Sequence, residues 1–248
     1  EHSAENPVPR GAPYICINAT DGSEIWRVNG MYRETRWGGN GIIADSIIAT
    51  MDTYDQRVYA IGKGPTETTT TVSPKVSVEG SSVQIEGMVT DISPGTTRPE
   101  LTTRFANGVP AVSDASMSAW MLYVYKQFDR PLDATGVKVT LSVVDSNGNY
   151  RDIGTTTSNS DGYFSFNWKP DISGQYSLYA SFSGSKAYYP SHAVTSFAVD
   201  PAHPTAAPTD APKESVADMY FVPAVAGIIV AIILVGVLLA LLLLRKRP

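Results

Sequence analysis

The sequence has one cysteine, Cys16, and only three histidines among its 248 residues. One cysteine excludes an intrachain disulfide, so a folded domain must be held together by apolar burial, which a domain of more than about 100 residues can supply. With so few histidines, we find no Ser-His-Asp arrangement and no metal-cluster spacing, and no phosphate-binding glycine loop is present either. We therefore predict no enzymatic activity and no cofactor or metal.

An excess of positive charge is also lacking. The chain has 19 basic and 24 acidic residues, a net charge of −5 and a pI near 5.2. A nucleic-acid-binding protein normally carries a basic face, so we expect no nucleic-acid partner. Three of the basic residues, Arg245, Lys246 and Arg247, fall within the last four positions.

One long segment lacks charge altogether. Residues 221–244 (FVPAVAGIIVAIILVGVLLALLLL) contain no charged side chain. As a helix they would extend roughly 36 Å, which exceeds the ~30 Å hydrocarbon core of a bilayer. We therefore predict that residues 220–244 cross the lipid bilayer once. A buried helix of a soluble core and a GPI-anchor signal are the alternatives.

The basic tail favours a stop-transfer helix over a GPI signal. Because cytoplasmic flanks are enriched in Lys and Arg, residues 245–248 predict a cytoplasmic C-terminus, with the residues before 220 outside the cell. Residues 201–219 are rich in Pro, Ala and Thr and predict an extended stalk between the folded part and the membrane.

Residues 72–200 have the period-two pattern of half-buried strands. Alternating apolar side chains recur in segments that are separated by turn signals such as Asn147-Gly148 and Asp161-Gly162. This pattern predicts an antiparallel β-sandwich. Residues 92–135 do not follow this pattern, so we predict that they form an insertion in the sandwich.

The segment DGYFSFNWKPDISGQYSLYASFSGSKAYYPS (161–191) resembles bacterial and archaeal immunoglobulin-like surface domains. In this resemblance Tyr176 stands where a tyrosine corner would be, and Leu178 takes the place of a cysteine. Such domains serve as spacers, adhesins and assembly contacts, so the resemblance implies a fold more than a function.

The insertion contains a stretch with helical spacing, SDASMSAWMLYVYKQFDRP (113–131). Ser113 or Asp114 could cap this helix, and Pro131 would end it. Two interpretations remain open: a helix packed on the flank of the sandwich, or a docking surface for the N-terminal region or a neighbouring copy. The apolar stripe consists of Met117, Trp120, Met121, Val124 and Phe128.

Residues 16–26 read CINATDGSEIW, a strand, an Asp-Gly turn and a second strand that carries a tryptophan. Two more strands are predicted around residues 54–56, and residues 65–71 read as a Thr-rich linker. Residues 1–64 resemble the repeat of quinoprotein-like (PQQ-type) β-propellers. The motif positions are Cys16, Asn18, Asp21, Gly22 and Trp26, of which the glycine and the tryptophan agree with the family.

The resemblance implies that residues 1–64 form an incomplete blade region, because a propeller closes with roughly 4–8 four-stranded blades. The remaining blades would then belong to the parent chain or to another subunit. An alternative is a small sheet packed on the sandwich. Asn18 also begins an Asn-Ala-Thr sequon, which predicts a glycosylation site if the turn is accessible.

The expected fold class is therefore mainly β: a propeller blade region, an immunoglobulin-like sandwich with a helical insertion, and one transmembrane helix. We expect a membrane-anchored cell-surface protein with a structural, adhesive or binding role and a surface protein or a glycan as its partner. The combination of these repeats with an immunoglobulin-like domain and a C-terminal membrane span resembles archaeal cell-surface proteins. The alternative is the anchored end of a quinoprotein-like dehydrogenase.

Overall fold

The computed structural model describes residues 12–32, 41–52, 56–202 and 215–245. The chain divides into two units, residues 1–202 and residues 203–248. The first unit is mainly β, as predicted, and the second contains one long apolar helix.

Two facing sheets form the centre of the first unit. Their strands are β6 (Thr66–Ser73), β7 (Val76–Val78), β8 (Val83–Asp91), β9 (Val109–Pro110), β10 (Lys138–Val144), β11 (Tyr150–Thr157), β12 (Tyr163–Trp168), β13 (Gly174–Phe182) and β14 (Ser191–Asp200). One sheet has five strands in the order β11-β10-β13-β14-β7, and the other has β12-β8-β6 with β9 paired to β8. All pairs are antiparallel except β14 with β7, which is parallel.

The core between these sheets follows from the alternation in the sequence. In β13, every second side chain from Tyr176 to Phe182 is buried, and β8 starts with the same alternation. Tyr176 stacks on Phe197 with 5.2 Å between ring centroids. A glycine is required at position 87 of β8, since an added Cβ would lie 2.1 Å from the Thr69 carbonyl oxygen of the paired strand β6.

The hydroxyl of Tyr176 donates a hydrogen bond of 3.0 Å to the backbone carbonyl of Ile172. A tyrosine corner requires a bond of this kind, from a tyrosine hydroxyl back to the backbone a few residues upstream.

The Thr-rich linker predicted at residues 65–71 is wrong. Residues 66–73 form β6 and pair with β8 from Thr66↔Asp91 to Ser73↔Gln84. Threonine is β-branched and suits a strand, and two alternate threonines, Thr66 and Thr68, are buried here.

The insertion between β8 and β10 contains a 3₁₀ turn (Pro94–Thr97), α1 (Pro99–Arg104), β9 and α2 (Met117–Lys126). Helix α2 lies inside the stretch with helical spacing. It begins later than the capping residues Ser113 and Asp114, because Asp114 instead accepts hydrogen bonds from the backbone N–H groups of Lys186 and Ala187. It ends at Lys126, before Pro131 is reached, because the next residue, Gln127, adopts the left-handed conformation.

The N-terminal part of the first unit has two small antiparallel sheets. One is the hairpin of β1 (Ala12–Ile17) and β2 (Glu24–Tyr32), and the other is β3 (Ile42–Ala44), β4 (Ile47–Asp52) and β5 (Arg57–Ile61). A blade would join four strands in one sheet, and the described strands of this region do not. They pack on α2, and Gly64 forms a parallel bridge with Tyr188 of the sandwich.

The second unit contains α3 (Val216–Arg245). Within the stretch Met219–Arg245, a window of 18 residues has a mean hydropathy of 3.3, and none of that window is buried. Pro223 lies near the start of the helix, within its first three turns. This helix is long and apolar enough to cross a membrane.

Candidate functional site

The five motif residues of the N-terminal hairpin lie together at its turn and on its strands. Cys16 on β1 is directly opposite Trp26 on β2. Gly22 has φ +74°, a conformation that favours glycine. The side chains of Asn18 and Asp21 accept hydrogen bonds from the backbone N–H groups two residues later, both at 2.9 Å.

Asn18 and Asp21 therefore stabilise the turn itself. Hydrogen bonds from the hydroxyl and backbone N–H of Ser23 lower the pKa of Asp21. Asn18 is half-buried and lies in a turn whose neighbours Ala19 and Thr20 are exposed, so the glycosylation site stays a prediction.

Trp26 packs the N-terminal hairpin against neighbouring apolar side chains. Its ring stacks on Tyr14 with 6.0 Å between centroids and an angle of 28° between planes. Both rings pack against a small apolar cluster that includes Val28, Tyr59 and Leu122. In the resemblance the tryptophan packs between neighbouring blades, whereas here the cluster includes a residue of α2.

Helix α2 is buried on two sides. Trp120 and Val124 belong to a cluster within the insertion, and Met117 and Met121 pack against it. On its other side, Leu122 and Phe128 join the cluster of the N-terminal sheets. The stripe predicted from helical spacing is thus divided, with Phe128 in a different cluster from the other four residues. The N-terminal region, one of the two docking partners that we considered, contacts this helix.

A buried ion pair joins α2 to β4. The ammonium group of Lys126 contacts the carboxylate of Asp52, and their side chains are only 6% and 0% exposed. The Lys126 ammonium also lies 4.4 Å from the ring centroid of Tyr59 on β5. No sequence pattern indicates this contact, because the two partners are 74 positions apart.

A cavity of about 1350 Å³ lies between the N-terminal sheets, the insertion and the loop before β14. Its apolar lining includes Trp26, Ile48 and Met121, and its polar lining includes Asp91 and Tyr188. The volume exceeds the 300–1,000 Å³ that is usual for small-molecule sites. No motif in the sequence indicated this cavity.

The sheet β3-β4-β5 has one face on which every described position is apolar. The alternation and register of the three strands put these side chains together, and all but one are exposed. We call this the outer apolar face. It consists of Ile42, Ala44, Ile47, Ala49, Met51, Val58 and Ala60.

The basic residues at the C-terminus are only partly within the described chain. Arg245 is the last residue of α3. Lys246 and Arg247 lie outside the described residues. No group of three or more His, Cys, Asp or Glu side chains arranged to hold a metal ion occurs among the described residues.

No protein-family model matches this chain, and no curated protein is similar enough to it to count as a relative. The candidate sites therefore depend on the geometry described above, and the quinoprotein-like and immunoglobulin-like resemblances stay predictions.

Proposed function

We propose that this chain is a single-pass membrane protein that displays its β-rich part outside the cell and has a structural, adhesive or partner-binding role. The observation that carries the proposal is the stretch Met219–Arg245, an uninterrupted apolar helix. Arg245, Lys246 and Arg247 support a cytoplasmic C-terminus, since positive charges accumulate on that side of a membrane.

Residues 66–200 act in this proposal as an immunoglobulin-like module. Two facing sheets and the Tyr176 hydroxyl bond to the Ile172 carbonyl support that class. Such a module supplies a rigid support rather than chemistry, which fits the structural and binding roles.

The outer apolar face indicates that a partner packs on the N-terminal sheets. Ile42 and Val58 are 70% and 72% exposed, and no polar side chain interrupts the face between them. Contiguous exposed apolar surface of this kind marks an interaction site. We propose that further propeller-type strands, from the parent chain or another subunit, pack on this face.

A cysteine at Val58 tests whether the face is covered. In a Cys16→Ala background, Val58→Cys and the control Val194→Cys should react equally fast with a membrane-permeant maleimide in the purified chain, because both positions are exposed. In the cells that produce the protein, Val58→Cys should react at least about tenfold more slowly than the control, because apolar burial excludes water and reagent. Equal rates in cells would contradict the proposed partner.

A further inference from the structure

Strand β3 lies at the edge of its sheet and is open on one side. It is the last strand in the order β3-β4-β5, and no described strand pairs with its other side. Natural proteins usually protect such an edge with a charged side chain, a proline or a bulge. Strand β3 reads Ile-Ile-Ala, and its register with β4 is regular, so it has none of these.

Apolar side chains are exposed on both faces of this edge strand. Ile42 is 70% exposed and belongs to the outer apolar face, whereas Ile43 is 74% exposed and points to the opposite face because side chains alternate along a strand. Ala44 is exposed as well. A strand added beside β3 would therefore cover apolar side chains on both faces of the sheet.

The backbone of Ile43 is directed towards the open edge. Asp45 and Ser46 form a two-residue turn with φ values of 51° and 64°, which is typical of a type I′ hairpin. The pair that closes such a turn, Ala44 and Ile47, exchanges hydrogen bonds, and the next pair along an antiparallel ladder does not. The N–H and C=O groups of Ile43 therefore point away from β4.

Strand β3 already pairs with a strand of its own sequence. Residues 42–44 and residues 47–49 both read Ile-Ile-Ala, and they pair antiparallel with Ile43 opposite Ile48. In this pairing each terminal isoleucine is opposite an alanine. The β3 strand of a second copy of this chain offers the same side chains in the same antiparallel order.

We propose that two copies of this chain pair antiparallel through their β3 edges, with Ile43 opposite Ile43 of the second copy. The N–H group of each Ile43 donates a hydrogen bond to the carbonyl of the other. The two-fold axis is perpendicular to the sheet, so both outer apolar faces lie on the same side and become continuous. Because the contact is self-complementary, assembly stops at a dimer with a six-stranded sheet.

The contact involves only three residues of each copy. Stable complexes of soluble proteins bury roughly 1,200–2,000 Å², which such a short strand does not supply by itself. Anchoring in one membrane raises the effective concentration of the two copies, so a smaller interface is sufficient. To this extent the inference rests on the proposed single-pass anchoring. It does not depend on what packs on the outer apolar face, because the added strand lies in the plane of the sheet.

Disulfide formation in phosphatidylcholine vesicles tests the pairing. In a Cys16→Ala background, Ile43→Cys places two thiols opposite each other with Cα atoms about 5.5 Å apart, within the range of roughly 4.4–6.8 Å that a disulfide spans. The vesicles are first collected by flotation, so that a failure of the chain to insert is recognised separately. Under mild oxidation we expect Ile43→Cys to form a covalent dimer.

The matched control is Val58→Cys, which is equally exposed on β5, the strand at the other end of the same sheet. With strands about 4.8 Å apart, its two thiols would be roughly 24 Å apart in the proposed dimer. Ile43→Cys should therefore cross-link at least about tenfold faster than Val58→Cys, because only its thiols are held together. Equal rates for the two variants, or no covalent dimer of Ile43→Cys, would overturn the proposal. The second result is expected if a strand of a different protein occupies this edge.

A charge at the same position provides an independent measurement. Copies labelled with a donor or an acceptor dye at Leu132→Cys, also in the Cys16→Ala background, are mixed in the vesicles. Ile43→Lys should lower the energy transfer to the level of randomly distributed copies, since like charges directly opposite each other destabilise a strand pair. The control Val58→Lys should leave the energy transfer unchanged. Equal energy transfer in Ile43→Lys and Val58→Lys would show that the copies associate by another route, such as α3, and would overturn the β3 pairing.

Discussion

Replacing Lys126 with methionine is expected to weaken the attachment of the N-terminal sheets to the rest of the first unit by about 3–5 kcal/mol. The substitution removes the ammonium group that contacts Asp52, whose side chain is 0% exposed. Removing one partner of a buried ion pair has this cost because the remaining charge stays out of water. The contact between the Lys126 ammonium and the ring of Tyr59 is lost at the same time.

Hydrogen–deuterium exchange of the full chain in nanodiscs measures this effect. Peptides that cover β4 and β5 should exchange about 10²–10³-fold faster in Lys126→Met, whereas peptides from β10 and β13 should not change. Lys138→Met is the matched control, since Lys138 is exposed on β10. The double variant Asp52→Asn/Lys126→Met should recover most of the protection, because it removes the buried carboxylate charge together with the ammonium group. Equal exchange in Lys126→Met and Lys138→Met would refute this role of the pair.

Replacing Ile232, Ile233 and Val235 in the middle of α3 with aspartate is expected to prevent insertion of the helix into the membrane. On insertion scales an aspartate at the centre of a span costs about 2.5–3.5 kcal/mol, so three of them cost roughly 8–12 kcal/mol with the lost apolar contribution. These positions lie near the centre of Met219–Arg245, where the cost is largest.

Flotation on a density gradient separates inserted protein from soluble or aggregated protein. The unchanged chain should float with the lipid after alkaline treatment, and the triple aspartate variant should stay at the bottom of the gradient. Alanines at the same three positions keep the helix uncharged and should float like the unchanged chain. If the aspartate variant floats equally well, α3 is not what holds the protein to the membrane.

The parts of the fold that local patterns determine were predictable from the sequence. Alternation in β13, the turn at Asn147-Gly148 and the helical spacing before Lys126 each depend on near neighbours in the chain. The Thr-rich composition of residues 65–71 predicts a linker, since composition does not show that Thr66 and Thr68 are buried in a strand.

The candidate sites were less predictable, because they join residues that are distant in the sequence. Asp91 and Tyr188 lie 97 positions apart in the sequence. Asp52 and Lys126 meet only after α2 packs on the N-terminal sheets. Neither pair belongs to a local motif. The five residues of the hairpin motif were visible in the sequence, but the sheets that they help to build do not form a four-stranded blade.

The most direct test of the anchored, outward-facing arrangement is the labelling of two single cysteines with a membrane-impermeant maleimide on intact cells. In a Cys16→Ala background, one variant has Leu132→Cys, at a fully exposed position of the insertion, and the other has Pro248→Cys at the C-terminus. We expect Leu132→Cys to be labelled on intact cells and Pro248→Cys to be labelled only after permeabilisation. Labelling of Pro248→Cys alone on intact cells would contradict it.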